Sequence, residues 1–140
     1  MIDALRKDDA LTLGLVAVDD DAIVGHIAFP PVLNDGKRLD WYALAPLAVR
    51  PDRQNAGVGG VLAREGLDRL RLLGAHGCVV LGHPDHYGRF GFIARAALSL
   101  TGVPPEYFIA RSFTTDLPWG AVTFHATFSD ESRQVRTFVI

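Results

Sequence analysis

The sequence predicts a mixed α/β fold (α+β), with parallel and antiparallel strands in its sheet. Three observations predict it: an antiparallel hairpin near the start, a strand–helix–strand unit in the middle, and antiparallel strands towards the C-terminus. The chain has 140 residues, of which 49% are hydrophobic, and a formal net charge of −2. This composition is that of an ordinary globular protein, and we expect residues 1–140 to form a single domain.

The first half of the chain alternates apolar runs with turn residues. An acidic turn at residues 19–22 separates two apolar runs, which are therefore expected to pair as a hairpin. Proline has no N–H to donate to a strand ladder, so Pro30 and Pro31 should end the second strand. The predicted elements in order are the end of a helix over residues 1–11, strands over 13–18 and 23–29, a turn at 34–36, and a third strand over 42–50 that Pro51 closes.

A helix is predicted over residues 57–73, where the apolar residues change to a helical period and Gly74 is placed to cap the end. Residues 77–81 form a short apolar run typical of a buried parallel strand. A right-handed crossover puts the start of the helix at the carboxyl end of the third strand, where open α/β sheets bind ligands. The remaining predicted elements are a turn with a very short helix within residues 83–92, and strands over 97–100, 107–112 and 121–128.

Three glycines stand at the mouth of this helix, within Gln54-Asn55-Ala56-Gly57-Val58-Gly59-Gly60. Glycines let the backbone approach a ligand closely, and the free N–H groups and the helix dipole favour an anion such as a phosphate. The alternative is that small residues here only let the helix pack tightly on the sheet. A Walker loop is excluded because no Gly-Lys-Ser/Thr follows, and Leu62 stands where the third glycine or alanine of a Rossmann fingerprint belongs.

Composition argues against several other functions. Lysines and arginines are scattered singly or in pairs, so nucleic acid is not expected as a partner. The sequence has no signal segment and no membrane-crossing run, so we expect a cytoplasmic protein without a membrane partner. The single cysteine, Cys78, lies in an apolar run that disfavours a reactive thiolate. His83-x-x-His86 lacks the carboxylate or cysteine context of a zinc site, so no metal is expected.

Several motifs together resemble those of one family. The pattern Gln-x-x-Gly-x-Gly at residues 54–59, between a strand and an amphipathic helix, resembles the pyrophosphate-binding motif of the GNAT N-acetyltransferases. Residues 87–92, 102–108 and 120–125 resemble the YhbS-like bacterial subgroup of that superfamily. The similarity extends over residues 13–128 and implies a GNAT-like fold with one acyltransferase domain.

The resemblance implies a transferase that uses acetyl-CoA as cosubstrate, without a metal, and moves the acetyl group directly to a primary amine. The acceptor would be a small molecule or a peptide. Two sets of cofactor-binding residues follow from it. They are the loop whose backbone amides hold the CoA pyrophosphate, Gln54, Asn55, Ala56, Gly57, Val58, Gly59 and Gly60, and the strand residues whose backbone pairs with the pantetheine arm, Leu47, Ala48 and Val49. The arm would lie between that strand and residues 77–82.

Tyr87 matches the position of the catalytic acid in this family. A phenol can donate a hydrogen bond to a developing thiolate without being ionised itself. The alternative is a packing tyrosine beside Phe90 and Phe92. The general base is open among three histidines, His26, His83 and His86. Two arginines near the loop, Arg50 and Arg53, either meet the CoA phosphates or are solvated charges at a strand end.

The chain departs from the family at its N-terminus, because GNAT domains normally begin with a strand and two helices that build much of the acceptor pocket. A chain that starts near the end of the second helix leaves the strand at Leu13 as an uncovered sheet edge. Either a homodimer partner covers that edge, or the chain is a truncated relative with an impaired acceptor half. The second possible function, after an N-acetyltransferase, is therefore a non-catalytic acyl-CoA-binding module. The third is a nucleotide-binding regulator that uses the same glycine loop.

Overall fold

A computed structural model describes residues 12–95, 98–114, 120–124 and 135–139. The helix end expected over residues 1–11 lies outside them. The described strands are β1 (Thr12–Asp19), β2 (Ala22–Phe29), β3 (Pro31–Asn34), β4 (Lys37–Ala43), β5 (Leu47–Val49), β6 (Gly77–Leu81), β7 (Ile93–Ala94), β8 (Leu98–Ser99), β9 (Phe108–Ser112), β10 (Gly120–Phe124) and β11 (Val135–Val139). The described helices are α1 (Val58–Leu72), α2 (Pro84–Tyr87) and three short 3₁₀ helices at Pro51–Arg53, Gly88–Phe90 and Pro105–Tyr107.

The predicted hairpin is confirmed as β1 and β2. Asp20 and Asp21 at its tip have left-handed φ angles of 51° and 62°. Two successive left-handed residues are the turn conformation that matches the natural twist of paired strands. The antiparallel register places Leu15 opposite Ile27, and both side chains are fully buried. The hairpin thus supplies one wall of the core.

The single third strand predicted over residues 42–50 is wrong, because the structure divides it into β4 and β5. These two strands belong to different sheets: β4 pairs with β3 and β6, whereas β5 pairs with β2. The break falls at residues 44–46, which include Pro46, a residue without an N–H to continue a ladder. The continuous apolar character of this segment conceals the change of sheet.

A further strand, β3, begins at Pro31, where the sequence predicts the end of a strand. Proline is tolerated as the first residue of a strand. The carbonyl of the preceding Pro30 accepts a hydrogen bond of 2.9 Å from the Ala43 N–H, which keeps the chain paired across the two prolines. The turn predicted at residues 34–36 follows, with left-handed φ angles at Asp35 and Gly36.

The strands form two sheets, with the orders β11-β1-β2-β5 and β7-β9-β6-β4-β3-β10-β8. They are joined where β2 continues into β3 and β4 into β5. The parallel pairing of β4 with β6 ends at Leu44, whose N–H donates to the Val79 carbonyl at 2.9 Å. Beyond that bond β5 belongs to one sheet and the end of β6 to the other. We call the resulting gap, between β5 and residues 81–82, the splay.

Helix α1 confirms the predicted strand–helix–strand unit and packs on β1, β2 and β5. Its buried face carries Leu62, Leu67 and Leu70. Gly66 lets the Phe29 ring lie directly on the helix, since a Cβ at this position would overlap the ring. Gly74 has a φ of 94°, as expected of a left-handed residue just beyond a helix end. Within the described residues, no helix is long and apolar enough to cross a membrane.

The C-terminal strands largely follow the prediction. β9 runs antiparallel to β6, and β10 runs antiparallel to β3. The bounds differ slightly: β8 is shorter than predicted, β9 begins at Phe108, and residues 125–128 of the last predicted strand lie outside the described residues. β8 pairs with β10 in the parallel direction.

The edge of β1 predicted to be uncovered is paired with β11, so that prediction is wrong. β11 runs parallel to β1, from Thr12 opposite Val135 to Val16 opposite Val139. No strand was predicted here because the tail is polar up to its last three residues and its partner lies at the other end of the sequence. The edge on which the homodimer expectation depended is therefore occupied within the chain.

Candidate cofactor-binding and active site

A cavity of about 700 Å³, here called the loop cavity, opens between β5, the residues that precede α1, and α2. Its lining residues are Leu47, Val49, Arg53, Gln54, Asn55, Gly57, Gly59, Gly60, Arg64, His86 and Arg89. Most of the predicted cofactor-binding residues therefore surround one space. Ala48, Ala56 and Val58 are the predicted residues that do not line it. None of the lining residues is acidic.

The start of α1 presents free backbone amides to this cavity. Gly57, with a left-handed φ of 89°, precedes the helix and provides no side-chain cap. The first helical hydrogen bond is from the Val61 N–H to the Gly57 carbonyl, at 3.1 Å. The N–H groups of Val58, Gly59 and Gly60 precede that bond and donate to no acceptor among the described residues. No acidic side chain lies in the first turn, so the positive end of the helix is open to an anion.

Gln54 lines the loop cavity with the other predicted residues, but its own donors are engaged within the protein. Its backbone N–H donates to the Pro51 carbonyl at 3.5 Å, and its side-chain Nε2 donates to the Val49 carbonyl at 3.1 Å. Gln54 thus ties the loop to the end of β5. The next residue, Asn55, has a left-handed φ of 65° and lines the same cavity.

One edge of β5 has no strand beside it among the described residues. The Arg50 N–H bonds to the Val24 carbonyl at 2.8 Å, and His26 stands opposite Ala48 in the register. Successive residues of an antiparallel strand direct their backbone groups to opposite sides, so those of Ala48 point towards β2. The backbone groups of Leu47 and Val49 therefore face the open edge in the splay.

Three cations reach the loop cavity, from three separate segments: Arg53, Arg64 and Arg89. Arg64 folds back along α1, which places its Nη1 only 3.1 Å from where a Cβ on Gly60 would lie. Arg64 and Arg89 were not predicted as site residues from the sequence. The spacing of four residues between Gly60 and Arg64, which makes them neighbours on a helix surface, was the available signal.

The two arginines considered from sequence differ in position. Arg53 lines the cavity and forms an ion pair with Asp19. Arg50 lies outside it and is engaged by Asp52, with 2.6 Å between Nε and Oδ1. This hydrogen-bonded pair raises the pKa of Arg50 and lowers the pKa of Asp52. Arg53 is therefore the one of the two that can meet a phosphate in the cavity.

Tyr87 lies at the β6 side of the splay. Its half-buried ring covers the Cα of Gly82, where a Cβ would overlap it, and packs at 6.2 Å between ring centroids from Phe92. Burial raises the pKa of Tyr87, and the charge of Arg89 opposes this in part. The phenol is therefore protonated at neutral pH and available as a donor. Tyr87 does not line the loop cavity, but the adjacent His86 does.

The three candidate histidines do not come together. His83 caps α2, because its Nδ1 accepts a hydrogen bond of 3.2 Å from the Asp85 N–H. His86 lines the loop cavity. The neighbour of His26, Gly25, faces α1, so the side chain of His26 lies on the opposite face of the sheet. Within the described residues, no group of three or more potential ligands is arranged to hold a metal ion.

Cys78 is a buried core residue, as predicted. It belongs to the apolar cluster beneath α1. Complete burial raises the pKa of the Cys78 thiol far above its usual range, so the nucleophilic thiolate does not form at physiological pH.

A second cavity of about 210 Å³, here called the end cavity, lies at the closed end of the splay. All its lining residues are apolar: Ala43, Leu44, Ala45, Val79, Val80, Leu81, Leu100 and Phe108. Ala45 adjoins β5 and Leu81 ends β6. A ligand arm that starts at the glycine loop and runs along β5 therefore ends beside this cavity.

Comparison with known proteins gives a family match. Residues 1–92 match the model of the acetyltransferase (GNAT) family. The uncharacterized N-acetyltransferase YhbS of Escherichia coli K12 is 45% identical over 93 residues, which are 66% of this chain and 56% of YhbS. The uncharacterized N-acetyltransferase YjhQ of the same organism is 40% identical over 96 residues, 66% of this chain and 53% of YjhQ. The chain thus spans about half the length of these curated relatives.

Two solved structures are similar to this fold. A GNAT family acetyltransferase from Brucella melitensis, in complex with acetyl-CoA, has a TM-score of 0.73 and 49% identity, covering 91% of this chain and 75% of that one. YhbS from Escherichia coli, in complex with CoA, has a TM-score of 0.77 and 33% identity, covering 96% of this chain and 79% of that one. These similarities confirm the predicted GNAT-like mixed fold. Together with the family match over more than half of its length, they show that the chain belongs to the acetyltransferase (GNAT) family.

Proposed function

We propose that this protein is an N-acetyltransferase that uses acetyl-CoA and transfers the acetyl group directly to a primary amine of a small molecule or a peptide. The observation that carries the proposal is the loop cavity, where an uncapped helix start and an open strand edge meet. The first feature suits the CoA pyrophosphate, and the second suits the amide groups of the pantetheine arm. The similar proteins from Brucella melitensis and Escherichia coli, solved with acetyl-CoA and CoA, support it.

The proposal assigns the cofactor-binding residues by their backbone directions. The amides of Asn55 to Gly60 hold the pyrophosphate, with Arg53 and Arg64 as nearby cations. Leu47 and Val49 offer their backbone groups to the pantetheine amides, with the Val49 carbonyl already engaged by Gln54. Ala48 contributes by pairing with β2, which holds the open edge in place.

The catalytic step is a direct transfer. Bound acetyl-CoA supplies a thioester. The nitrogen of the neutral amine forms a new C–N bond to the carbonyl carbon of that thioester, and the C–S bond breaks to release the CoA thiol. Tyr87 donates a proton to the leaving sulfur, for which its raised pKa keeps it protonated. The amine gives up a proton to a base. His86, which lines the loop cavity, and His26, which stands opposite Ala48 of β5, are the two candidates for this base, because His83 is engaged as a helix cap.

Thiol release tests the proposal. The purified chain is incubated with acetyl-CoA and a panel of small primary amines and peptides, and free thiol and acetylated amine are measured. We expect amine-dependent release of CoA with matching product. Binding of acetyl-CoA without release above the amine-free rate would instead favour the non-catalytic acyl-CoA-binding module.

A Gly57→Val variant serves as the control for contaminating acyltransferases in the same preparation. A β-branched residue cannot adopt the left-handed φ of 89° at this position without strain, so the loop must rearrange. We expect this variant to lose thiol release while it retains its circular dichroism spectrum. Equal release by the variant would contradict the proposed site.

A further inference from the structure

We propose that Arg64, Arg89 and Arg111 form a phosphate subsite that receives the 3′-phosphate of CoA. This inference rests on the proposed function. The three side chains line a separate cavity of about 330 Å³, here called the arginine cavity, together with Leu67, Phe90 and Gly91. Arg64 and Arg89 line the loop cavity as well, so the two cavities adjoin each other around these guanidinium groups.

A buried aromatic ring gathers the three arginines. The guanidinium carbons of Arg64 and Arg89 lie 5.2 Å and 4.7 Å from the centre of the Phe90 ring. Arg111 donates from Nη1 to the Phe90 carbonyl at 3.2 Å. Phe90 itself is only 5% exposed, so its position is fixed by the core. Cation–π contacts and the hydrogen bond thus hold all three cations around one residue.

The charge of this group is not balanced by the described part of the protein. Arg53, Arg69 and Arg71 each pair with a carboxylate. Arg64, Arg89 and Arg111 have no such partner among the described residues, and no acidic side chain lines either cavity. Like charges at short range repel one another, so three gathered cations favour an added anion. One guanidinium group can donate two parallel hydrogen bonds to two oxygens of a phosphate, so a phosphate is the anion that best fits these arginines.

The position of the three arginines indicates which phosphate of CoA they receive, the 3′-phosphate. Arg64 follows Gly60 by one helical turn, so the arginine cavity lies just beyond the end of the loop that suits the pyrophosphate. In CoA the 3′-phosphate is attached to the ribose that follows the pyrophosphate, and it carries close to two negative charges. An anionic group on the acceptor molecule could bind the same three arginines. The experiment below therefore distinguishes the 3′-phosphate of CoA from an anion of the acceptor.

The test compares the affinities of CoA and 3′-dephospho-CoA by calorimetry, for the wild type, Arg89→Gln and Arg111→Gln. We expect the wild type to bind CoA about tenfold more tightly than 3′-dephospho-CoA, a ratio of Kd values that corresponds to about 1.4 kcal/mol. Each variant should lose affinity for CoA by about threefold or more, because a bond to the charged phosphate is lost. Arg111→Gln, which lines the arginine cavity alone, should keep its affinity for 3′-dephospho-CoA, and Arg89→Gln, which also lines the loop cavity, should lose less affinity for 3′-dephospho-CoA than for CoA. Arg71→Gln, on the same helix as Arg64 but outside both cavities, should leave the ratio unchanged.

Several results would overturn the inference. Equal binding of the two ligands by the wild type would do so. An equal loss of affinity for both ligands in the variants would assign the arginines to packing around Phe90. Arg111→Lys keeps the positive charge, so it should retain part of the preference for CoA over 3′-dephospho-CoA, and loss of the whole preference would contradict the subsite. A raised KM for the amine with an unchanged ratio would assign the anion to the acceptor. If the folded wild type binds neither ligand, the proposed function fails as well.

Discussion

Tyr87 packs against the end of β6 and is also the proposed catalytic acid. Gly82 has no Cβ, so the tyrosine ring can lie against the end of β6 at the edge of the splay. The partial burial that results raises the pKa of the phenol. A protonated phenol beside the leaving sulfur is what the proposed transfer requires, and the same contacts with Phe92 fix its direction.

Replacement of Tyr87 by Phe removes the donor and keeps the ring. We expect Tyr87→Phe to lower kcat by about 10²-fold or more, the usual contribution of a general acid, and to leave the Kd of acetyl-CoA nearly unchanged. Thiol-release kinetics and calorimetry measure the two quantities. Tyr107→Phe, at an exposed tyrosine outside all three cavities, is the matched control and should keep the wild-type kcat. An unchanged kcat in Tyr87→Phe would leave Tyr87 with its packing role alone.

The pH dependence follows from the same residue. An ordinary tyrosine has a pKa of about 10, and the acid form is the active one, so a raised pKa moves the loss of kcat to higher pH. We expect the fall of wild-type kcat at alkaline pH, set by Tyr87, to lie above the usual pKa of a tyrosine and to be missing from the residual activity of Tyr87→Phe. A limb at the same pH in both proteins would assign it to another group.

Residues of the site differ in how far the sequence predicts them. The glycine loop is predictable because its residues are consecutive and stand at a helix start, which is a local pattern. Arg64, Arg89 and Arg111 belong to three separate segments that meet only around Phe90, and no spacing in the sequence signals that meeting. The engagement of the Gln54 backbone by Pro51 was likewise hidden, because it depends on the 3₁₀ helix before the loop.

At the scale of elements, a substitution at the start of α1 can test whether its glycines bind a ligand or only allow close packing. Gly59 lies in the first turn, and a Cβ there would meet Val49 at 3.7 Å and Leu47 at 3.8 Å, which are ordinary contacts. The fold therefore has room for alanine at this position. Leu47, Val49 and Gly59 all line the loop cavity, so the added methyl group enters the space beside the helix amides.

We expect Gly59→Ala to raise Tm and to weaken CoA binding. Alanine in place of a helical glycine stabilises a helix by up to about 1 kcal/mol. The loss of one amide contact to a phosphate corresponds to about tenfold in Kd. Thermal denaturation and calorimetry give the two values. Gly57→Ala, which must adopt a left-handed φ, should instead lower Tm. A more stable Gly59→Ala that binds CoA as tightly as the wild type would mean that the glycine serves packing alone.

The prediction of elements succeeded where the apolar period is local and failed where a strand changes sheet. The hairpin and β6 follow from short apolar runs beside turn residues, and α1 follows from a period of 3.6 residues. The division of residues 42–50 into β4 and β5 is set by pairing with two different partners, β6 and β2. That division matters for function, because the splay exists only where the two sheets separate.

At the scale of the whole molecule, β11 links the two ends of the described chain. It pairs with β1 in the parallel direction and thereby covers an edge of the four-stranded sheet. Sequence alone did not predict this pairing, because contacts between distant segments have no local pattern. An uncovered edge strand presents free N–H and C=O groups that readily pair with another chain.

Deletion of residues 131–140 tests the role of β11. We expect the shortened chain to have a lower Tm and to associate as its concentration rises, because the edge of β1 loses its backbone partner. Light scattering coupled to size-exclusion chromatography, over a range of concentrations, measures the association. A shortened chain with the same Tm and size as the 140-residue chain would show that β11 does not protect this edge.

The central claim is that CoA binds where the glycine loop, α1 and the open edge of β5 meet, and calorimetric titration with acetyl-CoA tests it most directly. We predict saturable one-site binding by the wild type, loss of binding in Gly57→Val, and wild-type affinity in Arg50→Gln, where the arginine is engaged by Asp52 outside the cavity. No binding by the folded wild type, or full affinity in Gly57→Val, would contradict the account.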